Sequence, residues 1–302
     1  MPNFAVDMRK YISFDWALKR LLRNKANYVV LEGFLSELLR QDVKIEHFLE
    51  SEGNKENAHD KSNRVDIMCE DSTGRKIIIE VQYEREYGYF YRMLFGTSKA
   101  ITEYIEAGQD YDNVPKVYSV NIVYFDLEQG TDYVYHGKQV FRGIHDDDEL
   151  KLSARQRELF GGEEPADLMP EYYVLKVNNF NDVAKDTLDE WVSFLKTGNI
   201  PDNATAKGLA EARERLRVDS LPDDERRAFF WELKRQMDEN DVMRSNYIDG
   251  KEEGIKEGIT QGIAQGEKNE KIKIARNLKA RNVDIDIITA STGLSAEEIA
   301  TL

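Results

Sequence analysis

Two carboxylates and an amide stand where a buried sheet would not by itself place them. Between Asn63 and Glu84 the chain reads NRVDIMCEDSTGRKIIIEVQYE. Asp66 opens this segment, and Glu80 and Gln82 close its most apolar run. Alternation over residues 64–69 predicts a strand with Val65, Ile67 and Cys69 on one face. Residues 71–74 supply a turn, in which Gly74 accommodates a positive φ. Residues 76–81, rich in β-branched Ile, predict a strand buried on both faces. Side chains alternate along a strand, so Glu80 and Gln82 share a side, and Asp66 faces them if the register is right. A buried carboxylate needs a cation or a proton. One solution is a divalent ion with hard oxygen ligands, Mg²⁺ or Mn²⁺. The other is a set of ion pairs from Asp66 and Glu80 to Arg64, Lys76 or Arg85.

Asp followed, after a hairpin, by Glu-x-Gln resembles the PD-(D/E)xK nuclease signature, with Gln82 where most members carry Lys. The ordered set of motifs is similar to the Rpn family of recombination-promoting nucleases and transposases. Phe14-Asp15-Trp16-Ala17-Leu18-Lys19 resembles that family's Asp-x-x-Phe-Lys element, with Leu18 in place of Phe. Glu80-Val81-Gln82 matches its Glu-x-Gln, Arg92 falls where the family has an Arg in the next helix, and Gly108 and Tyr111 match its Gly-x-x-Tyr. The resemblance implies an α/β, restriction-endonuclease-like mixed sheet flanked by helices, and a metal-dependent DNA endonuclease. In that reading Asp66 and Glu80 hold one or two Mg²⁺ or Mn²⁺ ions, helped by the Val81 carbonyl. Gln82 orients the attacking water, and Asp15 is an accessory acid. Either activity is weaker for want of the charge that Gln82 lacks, or Lys19 or Arg92 supplies it; both are expected to contact phosphate.

The elements that must position these groups are legible in the periodicity. Residues 14–23 predict a helix, with Asp15 and Lys19 one turn apart, as either a surface ion pair or site residues. Residues 27–39 predict a second helix, with Glu32 on its solvated face. Residues 41–50 predict the first strand. Residues 51–62, almost wholly polar, read as a loop and a candidate flap over the substrate, with His59 solvated. Residues 85–106 predict a long helix whose aromatic stripe, Tyr87, Tyr89, Phe90, Tyr91 and Phe95, is expected to be core, the alternative being a base-stacking platform. Arg92 in it either clamps a phosphate or pairs with Glu80 or Glu84. Gly108 is expected to cap this helix, and residues 117–125 to form an inner strand. Residues 130–142 predict a hairpin turning through His136-Gly137, 172–177 a strand suited to a sheet edge, and 182–196 a closing amphipathic helix. The acidic run 146–149 reads as a solvated loop.

Composition sets further bounds. The 302 residues carry a formal charge of −15, which opposes broad electrostatic binding of nucleic acid. A metal site and a local basic cleft remain compatible with it. One cysteine excludes an internal disulfide and points to the cytoplasm, and four scattered histidines give no zinc spacing. No apolar run is long enough to span a bilayer. We expect a nuclease-like domain at 1–200 and a mostly helical region at 201–302. The latter contains Gly250, Gly254, Gly258, Gly262 and Gly266, with Ile255, Ile259 and Ile263 each following a Gly. Each helical Gly costs about 1 kcal/mol relative to Ala, so the stripe is expected to be offset by packing in a homo-oligomer. Residues 274–302 read as short helices with a Ser295–Glu298 capping box. Their acids, where a recognition helix wants Arg or Asn, argue against sequence-specific DNA reading. Two alternatives to the DNA nuclease are a catalytically inactive binding and assembly protein, and an RNase using the same site.

Overall fold

The computed structural model describes residues 10–49, 66–105, 110–127 and 129–302. Two compact units divide it, Met1–Phe230 and Trp231–Leu302. Arg64, Val65, the 51–62 loop with His59, and Gly108 lie outside the described residues.

The first unit is built on a six-stranded mixed sheet in the order β1-β2-β3-β4-β6-β5. Its strands are β1 Ile45–Leu49, β2 Ile67–Asp71, β3 Lys76–Gln82, β4 Val117–Val123, β5 Val134–Gly137 and β6 Glu171–Lys176. The pairs β1–β2 and β2–β3 are antiparallel, β3–β4 and β4–β6 parallel, and β5 returns antiparallel on β6. The two central strands are buried on both faces, as the unbroken apolar runs require. Between β2 and β3, Asp71 Oδ1 accepts from the Thr73 and Arg75 N–H groups, and Gly74 takes φ +84°.

Helix α3, Tyr89–Glu103, packs one flank on the sheet through Met68, Ile78, Val117 and Ala100, and through Tyr89, Met93, Val123 and Val174. Helices α1 Phe14–Arg20, α2 Tyr28–Leu39 and α5 Thr187–Thr197 meet in an aromatic cluster. Phe14 lies 5.2 Å from Phe34 and 6.0 Å from Trp191, ring centre to ring centre, in edge-on geometries that add to area burial. Helix α4, Ala154–Phe160, is capped by a Ser153–Gln156 box. Helix α6, Leu209–Arg215, lies on α2 where Gly208, at φ +82°, meets Gly33. Helix α7, Asp223–Ala280, is the longest element, and Phe229 near its start is buried against Trp16. In the second unit the end of α7 forms a small core with α8 Ile285–Thr292 and α9 Ala296–Thr301, through Ala275, Ile288, Leu294 and Ile299. The expected Ser295–Glu298 capping box is present.

Four expectations are corrected. The helix expected over 85–106 begins at Tyr89, and its aromatic stripe is not core: only Tyr89 is buried, while Tyr87, Phe90, Tyr91 and Phe95 face solvent. The sheet covers a single flank of α3, so one stripe of it is enough to bury. Glu32 is not solvated. Its carboxylate accepts from Ile45 N–H at 2.9 Å, satisfying a donor at the start of β1. Residues 134–137 do not turn at Gly137 into a hairpin but pair with β6 as the outer strand. That makes β6 an inner strand rather than an edge.

A Cβ added at Gly33 would lie 2.5 Å from Gly208 Cα, with the Lys207 backbone equally in the way. Gly33→Ala should therefore cost about 1–3 kcal/mol in urea unfolding of the first unit. An unchanged midpoint would show that α6 does not pack there.

Candidate active site

Continued one step beyond Ile67↔Ile79, the β2–β3 register sets Asp66 opposite Glu80. Both residues then lie at the carboxyl end of β3, beside the parallel strand β4. In open α/β sheets, ligands gather outside this end of the strands. Asp66 is held by backbone: its Oδ2 accepts from Val81 N–H at 2.7 Å. The N–H and C=O of one strand residue point to the same neighbour. The Gln82 carbonyl accepts from Tyr124 N–H on the β4 side, so the Val81 carbonyl points the other way, toward Asp66.

Glu80 is buried, and its Oε1 accepts from Arg92 Nε. Arg92 also lies 3.3 Å from Glu86. Burial pushes the Glu80 carboxyl above its ordinary range, and nearby Asp66 and Glu86 add to that; Arg92 opposes it. Burial works against the charge on Arg92 as well, but Glu80 and Glu86 hold its pKa above the usual guanidinium value. Asn121, paired with Glu80 across β3–β4, accepts from the buried Tyr89 hydroxyl at 3.2 Å. Burial, then Glu80, raises the Tyr89 phenol, so this hydroxyl stays a donor.

On the other side of Asp66, Lys19 Nζ lies 2.8 Å from the buried Asp15 and 3.8 Å from Asp66. The fold thus brings Asp15, Lys19, Asp66, Glu80, Val81 and Arg92 into one chain of contacts. Gln82 is alongside, its amide donating to Glu84 O at 3.2 Å. Of the ion pairs weighed for Glu80, the one with Arg92 is present, while Lys76 is taken by Glu70 and Arg85 lies over the Tyr87 ring. Arg23 was not anticipated. Its guanidinium donates to the Asp66 carbonyl at 2.9 Å, so that Lys19 and Arg23 of the exposed basic run Lys19, Arg20, Arg23 and Lys25 both reach Asp66. The spacing of that run at the end of the first helix was the available signal. Asn121 left no signal in the sequence.

Two adjacent carboxylates, one of them buried and raised chiefly by that burial, form a hard-oxygen donor pair suited to Mg²⁺ or Mn²⁺. Among the described residues no group of three or more His, Cys, Asp and Glu is spaced to hold a metal. Such an ion would take Asp66, Glu80 and the Val81 carbonyl from the protein and keep several waters, which is the habit of Mg²⁺.

A mixed sheet with acids at the carboxyl end of its hairpin strand, flanked by helices that bring Lys and Arg, defines a restriction-endonuclease-like fold. Residues 12–151, which hold every residue of the candidate site, match the model of the PD-(D/E)XK nuclease family transposase. That stretch is similar to the PD-(D/E)XK nuclease superfamily. No curated protein and no solved structure matches the chain. Among the described residues no helix is long and apolar enough to cross a membrane.

An acid whose folded pKa is raised contributes stability that is present below its ordinary pKa. That stability is lost as the pH climbs through the folded value. Glu80→Gln should abolish this loss across the mildly acidic to neutral range. Arg92→Ala should deepen it, by about 2 kcal/mol at neutral pH with recovery on acidification. Urea midpoints measured across that range test both; parallel profiles for all three proteins would mean Glu80 is not the titrating group.

Proposed function

We propose that the first unit is a Mg²⁺- or Mn²⁺-dependent DNA endonuclease of the Rpn kind, hydrolysing phosphodiester bonds in a recombination or transposition setting. The observation that carries this reading is the buried Glu80 carboxylate beside Asp66, with Lys19, Arg23 and Arg92 around them. A bound divalent ion would lower the pKa of a coordinated water and polarise the scissile phosphate. The chain's own groups do the positioning. Asp66 and Glu80 offer oxygens held by Val81 N–H and by Arg92, and Asp15 holds Lys19 toward the site. Lys19 and Arg92 stabilise charge on the phosphate, and Gln82 orients the water through its amide. Gln82 cannot supply the cation that Lys gives in most of the superfamily, so Lys19 and Arg92 take that part. The single buried cysteine fits a reducing, cytoplasmic setting.

The test is cleavage of supercoiled plasmid at low salt with Mg²⁺, Mn²⁺, Ca²⁺ or EDTA. Asp66→Asn and Glu80→Gln each retain shape while removing a charge. Cutting should require Mg²⁺ or Mn²⁺ and fall at least ~100-fold in both variants. Millimolar Mn²⁺ should also raise the thermal midpoint of the wild type and not of Asp66→Asn. Cutting that survives both substitutions would remove these residues from the mechanism. The absence of any cutting or metal stabilisation would favour the binding and assembly protein.

Self-association through α7 belongs to the same proposal. At Gly250, Gly254, Gly258, Gly262 and Gly266 an added Cβ would meet nothing within 4 Å, and Ile255, Ile259 and Ile263 are exposed. A solitary helix would gain about 1 kcal/mol from each Gly→Ala change. If the stripe seats a second copy, Gly258→Leu should lower the mass seen in sedimentation. An unchanged mass together with a firmer helix would refute the interface.

A further inference from the structure

Helix α3 turns a strip of rings to water. Tyr87 is 91% exposed, Tyr91 81%, Phe90 63% and Phe95 56%. A fully buried aromatic side chain hides ~150–250 Å², so four such rings leave several hundred Å² of apolar surface. Monomeric proteins rarely leave a patch of that size without a use. The strip joins the candidate site directly, because Arg92 of the same helix holds Glu80 and Glu86, and Glu86 adjoins Tyr87. Tyr83, the residue after Gln82, belongs to a separate ring pair. It stacks on Tyr124 with centres 4.5 Å apart and planes 11° from parallel, and Tyr124 is anchored through its hydroxyl to Leu195 O at 2.9 Å.

The charge near these rings identifies the occupant. The chain is strongly acidic, yet Lys19 and Arg23 meet on one side of Asp66, and Arg85 lies 5.1 Å over the Tyr87 ring on the other. Cations for a phosphate backbone thus lie on one side of the carboxylates and rings on the other. In a duplex the base faces are stacked on one another and cannot meet a protein ring. An unpaired base presents its face, and stacking on aromatic side chains is how single strands are held without sequence preference. Stacking also supplies affinity that salt does not screen, which an acidic protein needs more than a basic one.

We propose that the candidate site acts on DNA whose bases are unpaired beside the cut, the rings of Tyr87, Phe90, Tyr91 and Phe95 being the surface on which those bases stack. This rests on the nuclease reading above and narrows its substrate.

The experiment is fluorescence anisotropy in EDTA, so that nothing is cut. It uses labelled oligo-dT, a matched duplex, and a duplex with an internal unpaired loop, followed by cleavage of the same three in Mn²⁺. The full chain is compared with Tyr91→Ala/Phe95→Ala and with Tyr91→Phe; both positions are exposed, so folding is not at stake. Oligo-dT and the looped duplex should bind at least ~10-fold more tightly than the matched duplex. The double variant should lose ~10-fold or more on those two alone, Tyr91→Phe should keep wild-type binding, and the sedimented mass should not change. Equal binding of all three DNAs would overturn the proposal, while metal-dependent plasmid cutting would still leave the nuclease reading standing. A ring-dependent preference for unpaired DNA with no cutting would sustain the stacking surface and sink the nuclease. A double variant that loses mass in sedimentation but binds DNA normally would show that the rings seat a second copy, and the proposal would fall.

Discussion

The Glu80 carboxylate is the group around which the first unit has to be arranged. It stands near the end of a strand that is buried on both faces, in a place where a charge without a partner would cost several kcal/mol. Arg92 meets that demand, and to do so α3 must return to the end of β3 after only a short connection. Tyr89, one turn earlier in the chain, fastens the same helix to Asn121 on β4. The parallel pairing of β3 with β4 then fixes where Asn121 stands relative to Glu80. A single buried charge therefore couples the sheet register, the helix position and the geometry of the site. An apolar residue at this position would place no such demand on α3.

The local electrostatics also qualify what net charge says about partners. A charge of −15 speaks of the field at long range, beyond a Debye length of about 8 Å in physiological salt. Within that length of Asp66 the protein presents Lys19 and Arg23. Net acidity and a local cationic rim answer different questions: one governs nonspecific attraction, the other what is held once it has arrived.

Much of this was legible beforehand, and the reasons differ by element. The unbroken apolar run of β3 and the turn at Gly74 constrain each other, so a short hairpin leaves few registers, and Asp66 opposite Glu80 is among them. The C-terminal capping box is a local rule and was read as such. What sequence did not show depends on partners distant in the chain. Nothing near Glu32 announces that Ile45 N–H will need an acceptor. An aromatic stripe is written identically whether it meets a sheet or water, so the exposure of Phe90 and Tyr91 became visible only when α3 was seen to have one covered flank. His136-Gly137 looked like a turn because the competing option, pairing with β6, lies more than thirty residues away.

The two oxygens of Asp66 have separate employments: Oδ2 accepts from Val81 N–H, while Oδ1 faces Lys19. An asparagine can still accept from that N–H through its amide oxygen, so the strand end survives while the charge disappears. Aspartate and asparagine codons differ by one nucleotide. A gene for a protein built this way therefore sits one transition away from a folded product that lacks the Asp66 charge. If α7 seats a second copy as proposed, that product would enter the same oligomer as the original. On the proposed reading, dominant interference lies within easy mutational reach of this fold.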